Sequence, residues 1–459
     1  MNGDDRHSPC VSAAAVMAAI LAACSAAQAA SPKAARSAKS AAPETTFAAK
    51  LRQEWQRQLV FAGGRKGSAR DRYVAAVEQV LANGRLLAEK LRSLGASTAA
   101  FDAEARRIAS AAAALEASSE DLKTHALYFD ARAAVRELAL SNPLLDFDKL
   151  LVVRRGERNL GLPANWESNS SLGRGGFDND LAELTGWRGG DGNANGNGCG
   201  SGGKFRTLYR PEGGRFIGDV DLHFDATRLL FSSTDERGVW GVYELAVAGG
   251  EPRKLPLIDD ADVCNYDACY LPDGNILFTS TAPMIGVPCV RGNSKVTNMY
   301  LLETPSGKIR RLTFEQDHDW CPTVLPDGHV MYLRWEYSGL PHANSRILFQ
   351  MNPDGTGQMA LYGSNSYWPN GVFYARPVPG HPTKIAGIVT GHHGAARMGE
   401  LVIFDPAVGT QEAEGAVQRI GARGKPVEPT VRDQLVNASW PKFLHPWPLN
   451  DKYFIVSCK

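Results

Sequence analysis

Cysteine is scarce in this chain: eight in 459 residues, of which Cys10 and Cys24 fall within the first thirty. No Cys-x-x-Cys-His occurs, so the chain carries no attachment site for a c-type haem, and no Cys-x-x-Cys pair of the zinc or thioredoxin kind occurs either. An excess of charge of either sign is missing too. Fifty Lys and Arg against 49 Asp and Glu leave a net +1, which gives no electrostatic case for nucleic acid or an anionic surface. Beyond the N-terminus no apolar run approaches the roughly 18–20 residues that span a bilayer. Gly-x-Ser-x-Gly is absent as well, since Cys199 stands where the first glycine before Ser201 would be. A serine hydrolase built on that motif therefore has no support here.

What is present is a repeat. Tyr270-Leu-Pro-Asp273-Gly274-Asn-Ile-Leu-Phe-Thr returns 54 residues later as Val324-Leu-Pro-Asp327-Gly328-His-Val-Met-Tyr-Leu. Asp-Gly between alternating apolar residues is a strong hairpin signal, because a tight strand-compatible turn demands positive φ. Weaker copies start at His223-Phe-Asp225 and at Trp447-Pro-Leu-Asn450-Asp451. Short strands recurring every 40–55 residues or so predict a six-bladed-type β-propeller, one sheet per repeat. The units fall at about 150–208, 215–257, 265–314, 321–362 and 371–420, with a sixth from Pro441. That last blade is incomplete at Lys459, which predicts either a longer parent chain or closure by N-terminal strands.

Ahead of the propeller (149–459) the chain divides three ways. Residues 1–30 read as an export leader, with Arg6 and then an Ala-rich run. Ala27-Gln28-Ala29 fits a cleavage site, while Leu21-Ala22-Ala23-Cys24 resembles a lipobox that would acylate Cys24; both exits stay open. The chain is thus expected to be periplasmic or lipid-anchored, touching membrane through that anchor alone. Residues 31–45 are an Ala/Ser/Lys/Pro linker. Residues 46–141 form a small α-helical segment of two or three helices. Val74, Val77, Leu81, Leu87, Leu91 and Leu94 make one stripe, closed by Gly95; Phe101, Ala105, Ile108, Ala112 and Leu115 make another.

Several long motifs carry a family likeness. Asp317-His-Asp-Trp-Cys-Pro-Thr-Val-Leu-Pro-Asp-Gly328, Tyr362-Gly-Ser-Asn-Ser-Tyr-Trp-Pro369, Gly391-His-His-Gly394 and Ala438-Ser-Trp-Pro-Lys-Phe-Leu-His445 resemble exported proteins related to the hydrazine synthase alpha subunit. More distantly, the Asp-Gly repeats are similar to TolB-type propellers. The resemblance covers about Ser141–Lys459 and implies the alpha subunit's middle propeller domain, in a C-terminally truncated member. It does not bring the haem chemistry, because no haem-ligating motif is matched. The expected function is therefore a binding or scaffold module without its own haem, with a bound metal left open and its protein partner or small ligand held at the propeller face. The alternative is a subunit of a periplasmic oxidoreductase whose redox centre lies elsewhere.

Candidate site residues cluster where loops enter the innermost strands. His318, Asp319, Trp320 and Cys321 precede the fourth unit, and Asp267, six residues before Asp273, is the positional equivalent of Cys321, six before Asp327. His, Asp and Cys converging at a channel mouth could ligate a metal; equally, they could satisfy backbone groups between blades. His392 and His393, with Arg397 nearby, form a second candidate. Adjacent histidines in a strand point to opposite faces unless the flanking glycines bend the chain. Arg334 or Arg376 is expected to pair with Glu336. Asp191-x-Asn193-x-Asn195 opens like a calcium loop but lacks its closing Glu, so a surface insertion is expected. Cys264, Cys269, Cys289 and Cys321 leave a disulfide open in an oxidising compartment.

Overall fold

The computed structural model describes residues 47–62, 69–115, 121–156, 158–188, 203–287, 290, 294–337, 345–422, 424–427 and 433–458. The leader with Cys24, the linker, the Asp191–Asn195 loop, Cys199 and Cys289 lie outside them.

Four helices come first: α1 (Phe47–Ala62), α2 (Ala69–Ser93), α3 (Ala99–Ala113) and α4 (Asp121–Leu140). On α2 the expected stripe buries Val77, Leu81, Leu87 and Leu91, and Tyr73 joins it, while Leu94 stays exposed. Gly95, at φ +86°, ends the helix, with Ala96 N–H returning to Leu91 O at 3.0 Å, the glycine-closed helix end expected of that residue. Phe101, Ala105, Ile108 and Ala112 of α3 are all buried.

The remainder is a β-propeller. A three-stranded antiparallel sheet holds β1 (Lys149–Arg155), β2 (Asn179–Thr185) and β3 (Lys204–Tyr209). Four-stranded sheets follow: β4 (Gly218–Leu222), β5 (Arg228–Thr234), β6 (Trp240–Ala246) and β7 (Arg253–Lys254); then β8 (Asn265–Tyr270), β9 (Ile276–Ser280), β10 (Asn298–Glu303) and β11 (Lys308–Arg311). The next two are β12 (Asp319–Val324), β13 (Val330–Glu336), β14 (Ser345–Met351) and β15 (Met359–Tyr362), and β16 (Gly371–Pro377), β17 (Ile385–Thr390), β18 (Glu400–Phe404) and β19 (Ala416–Ile420). One parallel pair, Arg346 opposite Gly371, joins those two. The ladder of β20 (Phe443–Pro448) and β21 (Phe454–Cys458) ends the described chain.

The two long Asp-Gly copies close the first hairpins of their sheets, β8–β9 and β12–β13, and Asp354-Gly355 closes β14–β15. Gly274, Gly328 and Gly355 sit at φ +86° to +88°, and their N–H groups return to Leu271, Leu325 and Asn352 at 2.9–3.0 Å. The aspartate closes each turn, as where Asp273 Oδ1 accepts Asn275 N–H at 3.0 Å. Ala226 holds the same left-handed position (φ +56°) in the weaker upstream copy.

First strands touch in succession, β4 with β8, β8 with β12, β12 with β16 and β16 with β20, so they line one axis. Sheets bury both faces against neighbours. Leu230, Phe278 and Tyr300 share one interface, Leu277, Met299 and Tyr332 the next, and Met331, Val389 and Phe404 another. Leu184 and Trp187 of the first sheet pack with Leu449 and Ile455 of the ladder, so the ring closes. The helices lie against that ladder through Tyr453 and Leu449.

The disulfide left open is not formed among the described cysteines. Cys264, Cys269, Cys321 and Cys458 are free; Cys269 is spent on the apolar interface with Leu277 and Met299. The ion-pair expectation changes as well. Arg334 pairs not with Glu336 but with buried Asp319 at 2.9 Å and with Glu315 at 3.1 Å. Glu336 instead accepts from Ser364 Oγ at 3.1 Å.

Candidate functional site: the axial channel

Every first strand of the four-stranded sheets, and β20, carries the same irregularity. Registers slip between Gly218 and Asp221, Tyr266 and Cys269, Trp320 and Thr323, Phe373 and Arg376, and Leu444 and Trp447. Inside each slip one non-glycine residue adopts positive φ: Asp219 (49°), Asp267 (52°), Cys321 (50°), Tyr374 (53°) and His445 (48°). The residue after each is Val220, Ala268, Pro322, Ala375 or Pro446; a bulge leaves one residue out of the ladder, so a proline that donates nothing is tolerated there. Five repeats of a left-handed bulge cost backbone strain of order 1–3 kcal/mol each. They turn five polar or titratable side chains toward one axis.

Hydrogen bonds link these bulges from sheet to sheet. Asp267 N–H donates to Ser232 Oγ at 2.9 Å, and the Ser232 hydroxyl bonds the Asp219 carboxylate. Cys321 N–H donates to Asp267 Oδ2 at 2.6 Å, and Tyr374 N–H points to the Cys321 sulfur. The Tyr374 and His445 rings meet edge to face at 4.2 Å. Asn169 Nδ2 closes on Asp219 Oδ2 from the segment before β2.

Three guanidiniums enter the same space. Arg155, at the end of β1, donates through Nη2 to Ile217 O at 2.7 Å and lies 4.6 Å above the Phe216 ring, leaving Nη1 without a partner. A Cβ at Gly161 would sit 2.6 Å from that Nη1, so the glycine makes its room. Arg376 lies 4.6 Å over Trp447. Arg397 donates through Nη2 to Glu167 O at 2.6 Å and lies 4.1 Å over Phe373, with Nε unpartnered. Among the described residues none of the three has a carboxylate within the 4.0 Å of an ion pair.

The electrostatics follow from burial. Desolvation, then the neighbouring Asp219 carboxylate, pushes Asp267 up to about 7; desolvation raises Asp219 and Asp221 too. Burial, then Arg155, Arg376 and Arg397, pushes His445 down to about 3. Yet His445 carries open surface. Around that ring stand Tyr374 and the three guanidiniums that act on it. Burial raises the Cys321 thiol well above its ordinary value, so it is a protonated thiol rather than a nucleophilic thiolate.

Of the sequence candidates, Asp267, Cys321 and Arg397 meet in this channel. His318 and Asp319 are fully buried and Trp320 nearly so, packed between sheets. His318 stacks on Trp320 at 4.3 Å, while its Nδ1 meets Thr297 N at 3.1 Å. Asp319 serves Arg334; with one carboxylate oxygen unpartnered, burial still leaves it raised to about 6. His392 and His393 lie on the loop that carries Arg397, and they do come together. Reading the sequence missed Asp219, Tyr374, His445 and Arg155. The signal was available: Asp219 precedes Asp225 by six residues, as Asp267 precedes Asp273, and His445 precedes Asp451 by the same six.

No family model matches the chain, and no curated protein does. Among solved structures, hydrazine synthase of Kuenenia stuttgartiensis is similar at 13% identity and TM-score 0.48, over 68% of this chain and 42% of that one. A putative TolB from Agrobacterium tumefaciens is similar at 17% identity and TM-score 0.36, over 50% of this chain and 71% of that one. TolB from Acinetobacter baumannii is similar at 14% identity and TM-score 0.32, over 50% and 46%. This chain thus spans less than half the length of the hydrazine synthase chain it matches. The sheet order and the succession of first strands in this chain define the propeller.

Proposed function

We propose that this chain is an exported β-propeller whose axial channel binds a small anionic ligand, with no haem of its own. One observation carries the reading: Arg155, Arg376 and Arg397 bring three guanidiniums to one space with no carboxylate in ion-pair contact. A charge taken from water needs a partner or it costs several kcal/mol, and an anion at the axis supplies it. The raised carboxyl of Asp267 fits the same purpose, because a protonated carboxyl donates a hydrogen bond instead of repelling an anion. Small-ligand sites of this kind lie in concave spaces with a few convergent polar groups. Export rests on the Ala-rich leader, with Cys24 as the residue to be acylated if the lipobox is used.

Thermal-shift and calorimetric titrations with acetate, succinate and phosphate test it. Saturable binding of one of them is expected, weakened tenfold or more in Arg376→Gln and in Arg397→Gln. No saturable binding, or binding unchanged in both variants, overturns the anion site. A Soret band in protein purified from the exported fraction overturns the haem-free part.

A further inference from the structure

The loop after β17 holds a second constellation, away from the bulges. In an extended strand His392 and His393 would diverge, yet their rings stand 4.2 Å apart at 84°. The cause is close packing against residues 433–437. A Cβ on Gly391 would sit 2.5 Å from Asp433 O and 2.7 Å from Leu435 N, and one on Gly394 (φ +96°) 2.3 Å from Asn437 Oδ1. Only glycine permits that approach at either place. His393 N–H then bonds Asp433 O at 3.0 Å, and its Nδ1 meets Asp433 Oδ1 at 2.6 Å. From the other side Asn165 Nδ2 holds the loop, donating to Gly391 O at 2.8 Å and Ala395 O at 3.1 Å.

We propose that His392, His393 and Asp433 form a three-ligand site for a divalent transition cation of the zinc class. One ligand atom from each lies within 4.8 Å of the others. His392 is 8% exposed, and its Nδ1 is buried without a hydrogen-bond partner. An unpartnered Nδ1 on a buried ring leaves a lone pair free for a metal. Two imidazoles and one carboxylate suit zinc and its neighbours, whereas magnesium and calcium want oxygen throughout. Three protein ligands leave a coordination position for water or an added ligand. The loop is preorganised by Asn165 and the two glycines, so little ordering accompanies binding.

The test uses tag-free full-length protein, stripped with chelator and titrated with Zn2+ by calorimetry and with Co2+ by visible absorption. One equivalent of Zn2+ is expected at micromolar affinity or tighter, with Co2+ giving the intense visible bands of a four- or five-coordinate site. His393→Ala and Asp433→Ala, both at exposed positions, should each weaken binding at least tenfold with unchanged far-UV circular dichroism. His329→Ala, at a separate surface pair with Asp327, should leave it intact. No uptake, a hexa-aqua Co2+ spectrum, or unchanged affinity in both ligand variants overturns the site. The outcome is independent of anion binding in the channel.

Discussion

Asp267 ties a residue's surroundings to a measurable slope. Its carboxyl titrates at about 7 in the folded chain against an ordinary value of 3.8, through desolvation first and the Asp219 carboxylate second. Between those values the folded state holds a proton that the unfolded state lacks, so this group's contribution to stability is present at low pH and lost as pH rises toward 7. Asp267→Asn keeps an oxygen for Cys321 N–H and removes the titration. The stability of the variant relative to the wild type should therefore climb between pH 4.5 and 7, by up to about 1.4 kcal/mol per unit. Chemical denaturation across that range checks it; a constant difference would mean that Asp267 is ionised throughout. Asp319 shows the contrasting case. Its burial is matched by Arg334, whose guanidinium also reaches Glu315, so the pair serves packing between sheets.

At the scale of elements, glycine marks where backbones must approach. Gly84 lies in the middle of α2, where alanine would favour the helix by about 1 kcal/mol. A Cβ there would sit 2.5 Å from the Phe101 ring of α3 and 2.7 Å from Val135 of α4. Overpacking of that kind costs about 1–3 kcal/mol, so Gly84→Ala should lower the urea midpoint, and adding Phe101→Leu should restore most of it. An unchanged or raised midpoint in the single variant would show that the helices slide apart freely. The bulged first strands make the opposite bargain. They keep left-handed backbone at Asp219, Asp267, Cys321, Tyr374 and His445 where glycine would relax it, which fits side chains retained for what they do at the axis.

For the whole molecule, the informative contact is between helices and ring. Tyr453 of the β20–β21 hairpin is buried in the helical core with Trp55, Tyr128 and Leu138, and Leu449 touches both that core and the Leu184–Trp187 cluster. The turn of the two-stranded ladder is thus covered by the helical layer, while its strands pack on the β17–β18 sheet. Tyr453→Ala should cost about 3 kcal/mol, in the range of large aromatic truncations. Limited proteolysis followed by mass spectrometry should then find α1–α4 cut well before the propeller. Equal cleavage rates in variant and wild type would mean that the layers are joined elsewhere.

The sequence by itself determined the local geometry. Asp273-Gly274 and Asp327-Gly328 set their turns because only left-handed backbone closes them, and the 54-residue return of that phrase announced a radial repeat of sheets. The stripe Phe101, Ala105, Ile108 and Ala112 likewise set the buried face of α3, since a helix brings those spacings to one side. Which polar side chains meet was decided by ring closure alone. Asp219, Asp267, Cys321, Tyr374 and His445 are about fifty residues or more apart and become neighbours only when five first strands surround one axis. His393 and Asp433, forty residues apart, meet because Gly391 and Gly394 let two loops touch. His318 and Asp319 carried the more conspicuous motif yet face the packing between sheets. Adjacent strand residues point to opposite sides, and a bulge in β12 puts Cys321 on the channel; neither the side nor the bulge is written in the motif itself.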